Sequence, residues 1–263
     1  MVRAQLPGLG ACYDAAHCDA WAVGDLSMAT GAPEIVLLPG LDGTGNLFDR
    51  VVPLLSNDLT VRVVRYPQDP NLGYAGYIEL VRNEIADRQV FLLGESFSGP
   101  VAIRVARQLG QQIKGIVLVA TFVSNPWPGW LIRWAARVDP KTTPAKIRDA
   151  ILMGSYGDAE LTKMVDEIVR TLPRPVRAAR LRAVAEVDVR QDFAELHCPI
   201  LVLHGRDDWL VRKSPMQKAV GEKGGARMIV IPGAHMLLQT RAEAAAGEIV
   251  FFSRSSAEIR YEA

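Results

Sequence analysis

Ser96 stands in the string Gly94-Glu95-Ser96-Phe97-Ser98-Gly99. A serine hydroxyl becomes a nucleophile when a neighbouring base takes its proton and a carboxylate holds that base in the right tautomer. The reaction such a group performs is acyl transfer, in which negative charge develops on a former carbonyl oxygen and is held by preorganised N–H donors. A sharp turn presents the hydroxyl, and that turn tolerates only small residues two places before and two after the serine. Gly94 and Ser98 meet this need, with Ser98 standing where glycine is usual. The chain must then supply a histidine, an acid and N–H donors at the same place.

The run Gln89-Val90-Phe91-Leu92-Leu93 reads as a buried strand, and residues 100–109, opened by Pro100, read as a helix. Ser96 therefore sits at a strand-to-helix corner. In a parallel sheet, side chains from different strands meet beyond the carboxyl ends of those strands. This rule sorts the four histidines. His197 precedes the strand-like run 199–203 and falls at the wrong edge. His204 ends that run and reads as a satisfied structural histidine, and His17 lies in an unpatterned stretch. His235, in Pro232-Gly233-Ala234-His235 after the run 228–231, is at the correct edge and is the expected base. Two acids follow the run 199–203, Asp207 and Asp208, and either can reach the sheet edge. The loop Thr121-Phe122-Val123-Ser124-Asn125, after the run 115–120, offers no carboxylate. For the oxyanion, one donor is the N–H of Phe97. The other is expected from Leu41, in the glycine-rich loop Leu38-Pro39-Gly40-Leu41-Asp42-Gly43-Thr44-Gly45. That loop lacks the Gly-Lys-Ser/Thr ending of a phosphate-binding loop and is not G-x-G-x-x-G, which argues against nucleotide binding.

Short apolar runs at 35–38, 61–66, 89–93, 115–120, 200–203 and 228–231 alternate with helical patterns at 48–55, 77–86 and 100–109. The pattern predicts an α/β fold with a mainly parallel central sheet and helices on both faces. Residues 125–188 break the alternation: they carry only helical segments, at 129–138, 145–153, 158–172 and 176–187, punctuated by prolines. They read as a helical cap inserted between two strands. The expected organisation is an N-terminal arm or edge strands over 1–31, a core over 32–124 and 189–263, and the cap over 125–188. Trp127, Trp130 and Trp134, spaced by three and four, together with Met153, are expected to line an apolar substrate pocket.

The 263 residues are 49% hydrophobic and 22% charged, with a formal net charge of +1, so composition favours a globular core and offers no electrostatic case for nucleic acid or an anionic membrane. No apolar run reaches membrane-spanning length. Cys12, Cys18 and Cys198 make no disulfide framework, and Cys12 and Cys18 around His17 are an incomplete zinc set. Leu9-Gly10-Ala11-Cys12 resembles a lipoprotein cleavage site, but Pro7-Gly8 interrupts the stretch before it. A cytoplasmic protein with no metal and no cofactor, acting on a small-molecule substrate, is expected. Its oligomeric state is left open.

Taken together, residues 34–252 resemble the α/β-hydrolase superfamily. The resemblance rests on Pro39-Gly40-Leu41, where many members have His-Gly-aromatic, on Gly94-Glu95-Ser96-Phe97-Ser98-Gly99, on Gly205-x-x-Asp208-x-x-Val211, and on Gly233-Ala234-His235. The Gly-x-x-Asp pattern implies that Asp208, not Asp207, is the acid. Among capped members the chain is similar to small bacterial serine carboxylesterases, including the pimeloyl-carrier methyl ester esterase type. The segment 38–45 also resembles plant plastid esterase/acyltransferases. Ser98 for glycine and Pro39 for histidine are departures from the pattern. The resemblance implies hydrolysis of carboxylic esters through an acyl-enzyme, and the apolar cap suggests substrates with apolar groups of short to medium chain. Thioesterase or acyltransferase chemistry on the same three residues, or a non-catalytic receptor on this scaffold, are the alternatives.

Overall fold

Strands rich in valine, isoleucine and leucine on both faces can be buried only if both faces are covered, and this requirement sets the architecture. The computed structural model describes residues 31–258. Its strands are β1 (Glu34–Leu38), β2 (Thr60–Val63), β3 (Val90–Glu95), β4 (Ile113–Val119), β5 (Ile200–Gly205) and β6 (Ala226–Ile231). They form one six-stranded sheet in the order β2-β1-β3-β4-β5-β6, and every pairing is parallel. Side chains alternate between two apolar layers. In β1, Ile35 and Leu37 join Phe48, Leu55 and Ile249, whereas Val36 and Leu38 join Tyr77, Val101 and Val105.

On the second of these faces lie α2 (Tyr74–Ile85), α3 (Gly99–Leu109), α8 (Arg190–Ala194) and α9 (Lys213–Gly221); on the first lie α1 (Val52–Leu55), α10 (Leu237–Thr240) and α11 (Ala242–Glu258). Periodicity did not single out α8 or α9. The helical reading at 48–55 resolves into a 3-10 turn, Asn46–Phe48, and the single turn α1. The strand reading at 61–66 is cut short because the Tyr66 N–H leaves the ladder and bonds the Gly43 carbonyl at 2.8 Å.

Between β4 and β5 the chain makes α4 (Gly129–Ala135), α5 (Ala145–Leu152), α6 (Ala159–Thr171) and α7 (Arg174–Glu186). Proline sets three of these starts, with Pro128, Pro144 and Pro173 each immediately before a helix; Asp158 caps α6 by accepting the Leu161 N–H at 2.9 Å. The chain enters and leaves this helical insertion side by side: Ser124 and Asp188 form an antiparallel bridge, flanked by bonds from Asn125 N to Val187 O (3.1 Å) and from Val189 N to Val123 O (2.8 Å). Among the described residues no helix is long and apolar enough to cross a membrane. Cys12, Cys18, His17 and the arm expected over 1–31 fall outside the described residues, apart from Gly31.

Candidate active site

Because all six strands run in one direction, the loops after β1, β3, β5 and β6 leave the sheet at one edge. The loop after β3 carries Ser96 in a 3-10 turn, Ser96–Ser98, with φ +48°. A non-glycine residue in this region is strained by about 1–3 kcal/mol and persists only where its surroundings over-determine it. Close packing does so here. A Cβ on Gly94 would come within 2.7 Å of the Ser98 carbonyl oxygen, and one on Gly99 within 2.0 Å of Thr121 Oγ1. The Thr121 hydroxyl in turn donates to the Ser96 carbonyl.

Ser96 Oγ lies 2.9 Å from His235 Nε2, and His235 Nδ1 lies 2.9 Å from Asp208 Oδ2. A carboxylate only accepts, so Nδ1 carries the proton toward Asp208 and Nε2 is left to accept from the serine. The other oxygen of Asp208 accepts the N–H groups of Leu210 and Val211, both at 2.9 Å. The side chain of Asp208 is fully buried. Burial pushes its pKa up, but His235 and these hydrogen bonds outweigh that and hold it below the ordinary value. For His235, burial favours the neutral ring; the Asp208 charge and hydrogen bond, with a smaller pull from Glu95, prevail and raise its pKa. Asp207 is turned elsewhere: it accepts from the Tyr156 hydroxyl at 2.5 Å and lies 3.6 Å from Arg206 Nε.

Leu41 and Phe97 both border the cavity at Ser96. The Phe97 ring is buried and stacked on Tyr74, with centroids 4.9 Å apart. Ser98, the residue that replaces the usual glycine, donates its hydroxyl to the Pro39 carbonyl and receives the Tyr66 hydroxyl at 2.8 Å. The two departures from the family pattern, Pro39 and Ser98, thus touch each other. Together they tie the loop bearing Leu41 to the turn bearing Ser96.

Sequence reasoning missed Glu95. Its carboxyl is buried beside Ser96, accepts from Gln239 Nε2 at 2.8 Å, and is pushed up to about 7 by burial. His204 is buried as expected but only half satisfied. Its Nδ1 donates to the Gly205 carbonyl at 2.9 Å, while Nε2 has no partner among the described residues.

A cavity of about 540 Å³ opens over Ser96 and His235, walled chiefly by apolar side chains of α4, α5, α6 and α7. Trp127 lines it and donates its indole N–H to the Leu210 carbonyl at 2.8 Å. Trp130 and Trp134 do not: they are 67% and 59% exposed. Helix α4 begins only at Gly129, and it turns Leu131, Ile132 and Ala135 to the cavity, which directs positions 130 and 134 to the opposite side. Met153 is also not part of the lining. It is buried behind the wall, packed with Leu161, Val165 and Met236, of which Val165 and Met236 reach the cavity.

Comparison with known proteins gives the family and the fold. A model described as "Alpha/beta hydrolase family" matches residues 35–248. The pimeloyl-(acyl-carrier protein) methyl ester esterase of Aeromonas hydrophila is 28% identical over 219 residues, covering 76% of this chain and 86% of that protein. Among solved structures, the enol-lactonase from Burkholderia xenovorans has a TM-score of 0.74 at 19% identity, covering 84% of this chain and 91% of its own. A thermophilic esterase from Thermogutta terrifontis gives 0.72 at 19% identity, with 86% and 91% covered.

Proposed function

The chain belongs to the alpha/beta hydrolase family, and from that premise we propose that it is a serine carboxylesterase acting on esters with apolar groups of short to medium chain length. The observation that carries this reading is the unbroken hydrogen-bond line from Ser96 through His235 to Asp208, opening into an apolar cavity. Ser96 Oγ attacks the ester carbonyl carbon as its proton passes to His235 Nε2. Asp208 stabilises the resulting imidazolium, and the N–H groups of Leu41 and Phe97 hold the oxyanion. The carbon–oxygen bond then breaks, His235 returns the proton to the departing alkoxide, and the alcohol leaves. Water, deprotonated by His235, attacks the acyl-enzyme. The second tetrahedral intermediate collapses to the acid as Ser96 recovers its proton.

Residues 125–188 serve as a cap that walls the acyl or alcohol group away from water, with Trp127 as its aromatic contact. The relatives' activity on a methyl ester is of the same reaction class. The cysteine composition favours a reducing, cytoplasmic setting. Labelling with a fluorophosphonate and turnover of p-nitrophenyl esters test the assignment. The wild-type serine should react, and Ser96→Ala should lose labelling and more than about three orders of magnitude in kcat while keeping its unfolding midpoint. Near-normal turnover by that variant would sink the reading.

A further inference from the structure

Among the described residues Arg180, in α7, is the bulkiest fully buried side chain and has no carboxylate partner. Its Nη1 donates to the carbonyls of Leu41 (2.9 Å) and Asp42 (2.8 Å), Nη2 to the carbonyl of Pro67 (3.0 Å), and Nε to the Tyr77 hydroxyl (2.9 Å). All four acceptors are neutral oxygens. We infer that Arg180 is a positioning residue for the oxyanion hole, carried into the core by the helical insertion; the inference rests on the serine-esterase reading above.

Three features of the loop after β1 support it. First, every carbonyl from Pro39 to Asp42 is engaged: Pro39 by Ser98, Gly40 by the Gly43 N–H at 3.1 Å, and Leu41 and Asp42 by Arg180. With both flanking peptide planes pinned, the plane that carries the Leu41 N–H cannot rotate without breaking one of these bonds. Second, the loop is shaped around the guanidinium. Gly43 has φ +70°, and a Cβ there would stand 2.6 Å from Nη1. Third, a guanidinium that only fastened α7 to the core would be best paired with a carboxylate, since burying an unpaired charge is costly. Here the charge is held against the backbone of Leu41 itself, where it favours the negative oxygen of the transition state with no reorganisation at the moment of reaction.

The test compares wild type with Arg180→Lys, Gly43→Ala and Arg50→Ala. Arg50 also ties the insertion to the core, through Asp158 (2.6 Å) and Glu160 (3.0 Å), but touches no part of the oxyanion loop. For each protein, kcat and KM on a p-nitrophenyl ester are measured, with the affinity for a trifluoromethyl ketone, which adds to Ser96 and places an oxyanion in the hole. Arg180→Lys and Gly43→Ala should lower kcat about 10–100-fold. Ketone affinity should weaken by the same factor, and KM should stay within about threefold. Arg50→Ala should keep both kcat and ketone affinity within about threefold of wild type. Should Arg180→Lys fail to fold, Gly43→Ala, which displaces the guanidinium without removing it, carries the test. The inference is overturned if the folded variants lose only thermal stability, if they lose KM rather than kcat, or if Arg50→Ala loses as much kcat as they do. A wild-type protein that fluorophosphonate does not label would instead overturn the esterase reading.

Discussion

The contact between Ser98 and Pro39 can be tested by a double-mutant cycle whose sign follows from proton counting. A serine hydroxyl has one proton, and the Pro39 carbonyl can only accept it; the Tyr66 hydroxyl must therefore donate to Ser98 Oγ, 2.8 Å away. Ser98 is fully buried and Tyr66 nearly so. Ser98→Ala strands a buried carbonyl and a buried phenol at once. At about 1–3 kcal/mol for each unsatisfied group, the loss should be about 2–6 kcal/mol. Tyr66→Phe alone removes one hydrogen bond but leaves the serine proton on Pro39, and the ring keeps its packing on Tyr77 at 4.6 Å; it should cost about 1 kcal/mol. In the Ser98→Ala background the same Tyr66→Phe change removes a stranded hydroxyl, and should recover about 1–3 kcal/mol. The effect of Tyr66→Phe thus reverses sign between the two backgrounds. Urea unfolding of the four proteins, with slopes held constant, reads this directly. Additivity within about 0.5 kcal/mol would refute the bonding pattern.

Two further predictions concern the reacting groups. The proposed base, His235, would act only when neutral, and its pKa is raised, so kcat/KM should climb with pH through a midpoint above its ordinary value of 6.5. The Glu95 carboxylate contributes to that rise; Glu95→Gln should therefore move the midpoint to lower pH, and an unmoved or upward midpoint would contradict the electrostatics drawn here. Asp208→Asn should lower kcat by about four orders of magnitude by releasing the His235 tautomer. Asp207→Asn, at a carboxylate whose recorded side-chain partners are Tyr156 and Arg206, should keep turnover within a few-fold of wild type. Equal losses in this pair would mean that the acid has been misassigned.

That Ser96, His235 and Asp208 meet at one edge of the sheet was legible because each signal is local. An apolar run sets a strand, the loop that follows lies at its carboxyl end, and a parallel sheet brings those ends together. The apolar cavity under the helical insertion was legible only in outline. Spacings of three and four among Trp127, Trp130 and Trp134 suggest one face, but Trp127 precedes α4, and the inward face is set by Leu131, Ile132 and Ala135. Periodicity gives the existence of a face, while its direction depends on what the helix packs against, here α7. Met153 has the hydrophobicity of a pocket residue and is instead buried under α6, because composition does not separate a cavity wall from a filled core.

The least legible parts are the compensations. Pro39 and Ser98 each look like a lapse from a motif when read along the chain. In space, the serine adds a hydroxyl that a glycine could not offer, and it spends the proton on the carbonyl of the proline. Arg180 left a faint trace: it occupies the buried stripe of α7 between Val176 and Val184, at intervals of four where an apolar residue belongs. A charged residue in such a stripe must find its acceptors elsewhere, and the backbone offers them only where a loop has carbonyls to spare. The loop after β1 is such a place: its glycines free it from regular structure and leave its oxygens facing inward. The misplaced arginine and the glycine-rich loop are therefore two halves of one arrangement, and each accounts for the residue types of the other.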